Sequence, residues 1–293
     1  MTSPAQTLRD ALARTDAAVL APGCYDALTA SLIDRQGFEA AYLSGASISY
    51  SRLGRPDIGL VSASEVAEVI ALIRDRCPAL PLIVDADTGF GNALNVQRTV
   101  STFERAGASA LQFEDQDMPK RCGHLAGKIR AALDARNDPA TLIIARTDAI
   151  AVEGFDAALA RAEAYLEAGA DMLFIEAPRS IEEMGTICAA FAHRVPLLAN
   201  MVEGGSTPVR DVETLAAMGY RLAIFPGAIA RVLVWTLERF LADLKQDRTS
   251  AGWSDRMLDL AGLNAVLGTE DILAAGRRYD EQLAGAGFAP PKS

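Results

Sequence analysis

The sequence predicts an α/β fold of the (βα)8 TIM-type barrel, on three observations. Eight short apolar runs recur along the chain, and each ends in polar or turn-forming residues. Helical patterns separate them, and a glycine suited to a left-handed helix end precedes several of the runs. Strands alternating with helices imply parallel pairing through right-handed crossovers, and eight such units close a barrel.

In chain order, a helical segment at 7–14 leads to the run 17–21, closed by Pro22 and Gly23. Run 40–43 ends in Ser44, Gly45 and Ala46, and run 81–84 in Asp85, Ala86 and Asp87. Run 110–113 precedes Glu114 and Asp115, 142–145 precedes Arg146, Thr147 and Asp148, and 172–175 precedes Glu176. The last two, 197–199 and 222–225, stop at Asn200 and at Pro226 with Gly227. Ser62 with Glu65, and Ser180 with Glu183, have the spacing of capping boxes at helix starts. Gly37, Gly107, Gly169 and Gly219 fall where helices should stop, and the repeated Ala-Gly-Ala at 106–108 and 168–170 shows one unit used twice. An open doubly wound sheet is the alternative, but Gly89-Phe90-Gly91 lacks the third glycine of a dinucleotide turn.

Residues 1–293 read as one barrel domain, with 247–293 as a C-terminal helical extension. A long amphipathic helix at 229–245, a break at Gly252-Trp253, and apolar residues at 263–267, 272 and 273 offer surface that a closed barrel does not need. That surface suits packing on a neighbouring subunit, or a cap on the chain's own barrel.

The formal charge of -10 argues against nucleic acid as a partner, so positive charge for an anionic ligand must be concentrated locally. No apolar run approaches a membrane span, and the N-terminal stretch lacks the apolar core of a signal peptide, which leads to the expectation of a cytoplasmic protein without membrane attachment. Cys24, Cys77, Cys122 and Cys188 form no paired motif; three of them read as small buried residues, and Cys122 stands among charges.

The stretch from Asp85 to Lys128 concentrates the chemistry. Asp85 and Asp87, two apart, would point to one face of a regular strand, and Glu114 ends the next strand, so these acids could share a hard divalent ion. Asp57, in a Gly-Arg-Pro-Asp loop, is a further acid. Paired acids at strand ends also serve as helix caps or surface ions. Lys120, Arg121 and His124 flank Cys122, and nearby positive charge would favour a thiolate able to exchange a proton near neutral pH. Arg146 is the natural fork for a substrate carboxylate, or else a salt-bridge partner of Asp148 or Glu176. Ser44-Gly45-Ala46 offers N–H groups and a hydroxyl to an oxyanion, and His193 reads as an ordinary surface residue.

Tyr42-Leu-Ser-Gly45, Gly54-Arg-Pro-Asp57, Asp85-Ala-Asp87, Glu114-Asp-Gln116, Pro119-Lys-Arg-Cys-Gly-His124, Ala145-Arg-Thr-Asp148 and Ala199-Asn-Met-Val-Glu-Gly-Gly205 together resemble the isocitrate lyase and phosphoenolpyruvate mutase superfamily. The chain is most similar to its short members: 2-methylisocitrate lyase, 2,3-dimethylmalate lyase, oxaloacetate hydrolase and carboxyphosphonoenolpyruvate mutase. The resemblance implies a homotetramer built as a dimer of helix-swapped dimers. It also implies Mg2+, or Mn2+ in its place, at Asp85, with Asp57, Asp87 and Glu114 reached mostly through waters. The implied reaction is retro-aldol or Claisen-type cleavage of a 2-hydroxy di- or tricarboxylate of the 2-methylisocitrate or 2,3-dimethylmalate type. A phosphonomutase or an oxaloacetate hydrolase is the alternative. Tyr42 would take the hydroxyl proton, Arg146 would hold the 2-oxo acid, and Cys122 would protonate the carbanion with Lys120 and His124 in support. Ser44, Gly45, Ala46, Gly123, Glu176 and Asn200 would line the substrate.

Departures from the family pattern bear on the substrate. Ala46 stands for a glycine, Leu125 for an arginine, and Met201-Val-Glu-Gly-Gly205 follows the dimethylmalate lyase version, which together favour a dicarboxylate such as a substituted malate. The segment between Lys128 and Asp138-Pro139 is also short, so the helix after strand four is shortened or the loop's anchor is remodelled.

Overall fold

The structure is a computed structural model that describes residues 2–117 and 121–285. Eight parallel strands close a barrel: β1 Val19–Cys24, β2 Ala41–Leu43, β3 Leu82–Asp85, β4 Ala110–Glu114, β5 Leu142–Thr147, β6 Met172–Ile175, β7 Leu197–Asn200 and β8 Leu222–Phe225. Their order around the barrel is β1-β8-β7-β6-β5-β4-β3-β2, and the ends meet where Val19 to Pro22 pair with Leu222 to Phe225. Gly23 has a steric reason to be glycine there, because a Cβ would collide with the Pro226 carbonyl where β1 and β8 close the ring.

Successive strand residues face opposite sides, so one register fills the barrel and the other packs under the helices. Val19, Tyr42, Ile83, Ala110, Ile144, Phe174, Leu198 and Leu222 form the inner cluster, closed below by Leu8 and Leu12 of helix Pro4–Leu12. Leu43, Val84, Leu111, Ile143, Leu173 and Ala223 face outward onto helix residues such as Ile70, Phe103 and Ile187. A short antiparallel ribbon, Gln116–Asp117 with Arg121–Cys122, follows β4.

The helix ends follow local chemistry. Ser62 and Glu65 form a reciprocal capping box on helix Ala63–Arg76. Ser180 caps helix Ile181–Phe191, but Glu183 accepts from the Arg179 N–H instead, so only half of that expected box forms. Gly37, Gly107, Gly169 and Gly219 all have positive φ, as a left-handed stop requires. The first helix starts earlier than the apolar pattern suggests, because Ser3 caps it and Pro4 occupies its first turn.

Residues 1–232 and 233–293 form two compact units. Helix Ala228–Asp247 begins in the first and continues in the second, which also holds helices Leu260–Leu267 and Thr269–Gly285. Within the second unit Trp253 packs edge-on against Phe240 and donates to Asp243 at 2.8 Å. Leu233, Trp235, Leu237, Leu241, Leu260 and Ile272 are exposed. Among the described residues, no helix is long and apolar enough to cross a membrane.

Candidate active site

The polar mouth of the barrel is the inward register continued past the apolar core. Ile83 is followed two residues later by Asp85, Ala110 by Gln112 and Glu114, Ile144 by Arg146, Phe174 by Glu176, and Leu198 by Asn200. Residues out of this phase, Asp115 and Thr147, hydrogen bond to each other at 2.7 Å. Asp57 arrives from a loop that follows the π-helical turn Ser49–Leu53, ended by Gly54 at φ 60°. The buried Ser49 hydroxyl lies 3.0 Å from both the Arg55 and Pro56 carbonyls and so pins the loop that carries Asp57.

Asp57, Asp85, Asp87 and Glu114 line one cavity with Gly45, Gln116 and Arg146, and its remaining wall is Ile58, Gly59, Val61, Val66 and Phe90. Asp87 does not continue the strand as the two-residue spacing suggests. β3 ends at Asp85, and Asp87 takes a left-handed conformation at φ 50°, its N–H donating to Asp85 Oδ1 at 3.2 Å. It reaches the cavity through a turn.

Arg146 answers this acidity. Its Nη1 lies 3.1 Å from Glu114, its Nε and Nη2 hold Asp148 at 3.0 and 2.8 Å, and its guanidinium carbon is 5.1 Å from the centre of the Phe174 ring. Burial would lower its pKa, but Glu114, Asp148 and Glu176 more than reverse that. Several of the acids are raised as well, which for a carboxyl favours the neutral form. Burial raises Asp85 to about 6, with Asp87 and Asp57 adding to the rise and Arg146 opposing it. Burial likewise pushes Glu114 well above its ordinary value, and raises Glu176 and Asp57.

Among the described residues four carboxylates face one guanidinium here and are under-neutralised, and oxygen donors of this kind fit a hard divalent cation. Among the described residues, no three acidic, histidine or cysteine side chains stand close enough to clasp an ion directly. An ion here would therefore take few protein oxygens and keep several waters, as Mg2+ commonly does.

Tyr42 is buried at the base of this mouth and donates its hydroxyl to Gln112, whose amide donates on to Glu114 at 3.4 Å. Burial, then Asp85, pushes the phenol well above 10, so it is held neutral here. Ser44 spends its hydroxyl on capping helix Gly45–Ile48, accepting from the Ser47 N–H at 3.2 Å, while the Gly45 N–H donates to Asp85 at 3.3 Å. Ala46 lies in that short helix. Asn200 donates to Glu176 at 3.2 and 3.4 Å, and among the described residues its buried Oδ1 has no hydrogen-bond partner.

Cys122 differs from its expected setting. It does not line the acidic cavity, and its thiol is raised to about 12 by burial and by Asp115, against the opposing effect of Arg161. The thiol is therefore protonated in this conformation, and among the described residues burial and the Asp115 carboxylate outweigh the guanidinium of Arg161. His124 is exposed beside a separate cavity with Lys128, Gly123 and Leu125. Lys120 lies outside the described residues. His193 is exposed, as its position suggests. Gln112, Asp115 and Arg161 were not singled out from the sequence. A glutamine inside the apolar run 110–113 was a signal for the first, whereas nothing local marks Arg161.

Fold and site define a barrel enzyme whose reactive groups gather at the C-terminal rim of the strands. The chain belongs to the phosphoenolpyruvate phosphomutase family, whose model matches residues 8–245. It is 44% identical to 2,3-dimethylmalate lyase of Eubacterium barkeri over 92% of this chain and 96% of that one. It is 45% identical to 2-methylisocitrate lyase of Aeropyrum pernix over 96% and 94% of the two chains. Among solved structures, a crystal structure of 2,3-dimethylmalate lyase, a member of the PEP mutase/isocitrate lyase superfamily, matches with TM-score 0.89, 33% identity and coverage of 95% and 99%. A phosphonopyruvate hydrolase complex with oxalate and Mg2+ matches with TM-score 0.86, 30% identity and the same coverage.

The raised Asp85 fixes a sign. A carboxyl with a folded pKa of about 6, against 3.8 as its ordinary value, takes stability from the ion-free fold as pH rises through that window. A cation that neutralises it should therefore stabilise more at about pH 7.5 than at about pH 5. Thermal unfolding with and without Mg2+ at both pH values should show the larger shift at the higher one; equal shifts would mean that Asp85 does not meet the ion.

Proposed function

We propose that this chain is a Mg2+-dependent carbon–carbon lyase that cleaves a 2-hydroxy dicarboxylate of the substituted-malate type to a 2-oxo acid and a second carboxylate. The observation that carries this reading is the charge imbalance at the mouth. A dianionic substrate cannot enter a cavity of four carboxylates and one guanidinium unless a cation is present. The 44% identity to a 2,3-dimethylmalate lyase supports the same chemistry. The apolar wall of Ile58, Val61 and Phe90 suits methyl substituents, and the buried Leu125 leaves no cation at its position for a third carboxylate.

When bound, Mg2+ would neutralise Asp85 and Glu114 and stabilise negative charge on the substrate's 2-oxygen, with Asp57 and Asp87 holding its waters. Neutralising Asp85 and Glu114 would remove two of the charges that raise Tyr42, while burial and Glu176 still raise it and Arg146 lowers it; Tyr42 takes the 2-hydroxyl proton as the phenolate, its own proton having first passed to water. The C2–C3 bond breaks, C2 becomes the carbonyl carbon of the 2-oxo acid, and the electron pair stays on C3. Cys122 supplies the proton that C3 needs; its raised pKa suits it as the acid of this step. Arg146 and the Gly45 N–H orient the 2-oxo acid carboxylate, Glu176 and the Asn200 oxygen are available to a donor on the substrate such as its 2-hydroxyl, and Lys120, Gly123 and His124 support the thiol.

Exposed Leu233, Trp235, Leu237 and Leu241 on one helix support a homotetramer formed through exchanged C-terminal helices. Four cysteines without a disulfide suit a cytoplasmic location. Sedimentation equilibrium should give four chains per particle, and substituting Leu237 and Leu241 by Glu should give smaller species; a monomeric parent protein would remove this part of the reading.

Turnover of 2,3-dimethylmalate, 2-methylisocitrate and oxaloacetate should be followed by 2-oxo acid or oxalate release with Mg2+ and with chelator. Release should require the ion and favour the dicarboxylates, and Cys122→Ala should lower kcat by roughly 100-fold or more. Full activity of that variant, or turnover in chelator, would exclude the mechanism.

A further inference from the structure

Asp115 is a buried carboxylate with no part in the proposed reaction. Its position one residue past Glu114 turns it away from the cavity, toward the layer between β4 and the helices. There it accepts from Thr147 Oγ1 and Tyr165 OH, each at 2.7 Å, and from the Asp148 N–H at 3.0 Å. Its carbonyl accepts from the Gly123 N–H at 2.6 Å.

Arg161, on helix Phe155–Glu167, completes the group from the other side. Its Nη1 donates to the Gly123 carbonyl at 2.9 Å and approaches Asp115 at 3.5 Å, and its Nη2 reaches the Cys122 carbonyl at 3.4 Å. Glu153 holds the guanidinium from outside through bonds of 2.8 and 2.7 Å. Gly123 is thus fixed at both its N–H and its carbonyl. Beyond it only His124 and the buried Leu125 precede helix Ala126–Ala135, so the short connection after the thiol is fixed as well.

We infer that Arg161 is a positioning residue for Cys122: clamped by Asp115 and Glu153, it holds Gly123 as a fixed pivot from which the thiol is presented to the cavity. The inference rests on the assignment of Cys122 as proton donor. A loose pivot would spread the thiol over many positions. Proton delivery would suffer, and substrate binding, which uses other groups, would not.

Two readouts test this on the full chain. The first is iodoacetamide alkylation of each cysteine in the ligand-free protein, resolved by peptide mass spectrometry. The second is the division of any activity loss between kcat and KM. Lysine cannot reach Glu153, Asp115 and two carbonyls at once, so Arg161→Lys should speed Cys122 alkylation about tenfold and lower kcat about tenfold, with KM within about twofold of the parent. Glu153→Gln changes a partly exposed side chain, leaves the guanidinium in place and should move both readouts the same way by less; it carries the test if Arg161→Lys does not fold. Cys24, Cys77 and Cys188, all buried, report general loosening and should not change. Unchanged Cys122 alkylation, an equal rise at all four cysteines, or faster alkylation with unaltered kcat would each overturn the inference. If Cys122→Ala instead kept full turnover, the proton-donor assignment would fail, while alkylation would still decide whether Arg161 fixes the pivot.

Discussion

The mouth of this barrel depends on the balance between Arg146 and the acids gathered around it. Glu114 and Asp148 hold its nitrogens at 2.8 to 3.1 Å, while Asp57, Asp85 and Asp87 share the same cavity. One guanidinium cannot neutralise this set. Burial meets the excess by raising Glu114, Asp57 and Asp85, the last to about 6, so the ion-free site is an energetic compromise. In the proposed function a divalent cation would resolve it, and the dianionic substrate proposed here would need that resolution before entering.

The same alternation that builds the core delivers these groups. Ile83 and Asp85, Ile144 and Arg146, and Leu198 and Asn200 are pairs on one face of a strand, apolar below and polar above. Asp115 and Thr147, one residue out of phase, serve the outer layer and brace the ribbon that carries Cys122. Adjacent residues, Glu114 and Asp115, therefore support two different tasks: one faces the proposed chemistry, and the other fixes the backbone that presents the thiol.

Much of this is legible in the sequence, and the remainder fails for physical reasons. The eight strands can be read because apolar runs end abruptly in polar residues, and Asp85, Glu114, Arg146, Glu176 and Asn200 can be read because they end those runs. The Asp87 turn cannot, because the two-residue rule assumes a regular strand and the chain leaves it after Asp85. The Cys122 environment is misjudged from local charge. Arg121 and His124 are near in sequence, but burial and Asp115 govern the thiol, and Arg161, thirty-nine residues away, opposes them in space. The segment between Lys128 and Asp138 holds most of helix Ala126–Ala135, which forms without a side-chain cap at Leu125.

In the proposed function these acids converge to hold one divalent cation, with Asp85 as its principal ligand. Titration of the protein with Mn2+, followed by electron paramagnetic resonance of the free ion, tests it without any substrate. One tight site per chain is expected, displaced by Mg2+ and weakened at least about tenfold in Asp85→Asn. No bound Mn2+, or equal affinity in the variant, would contradict it.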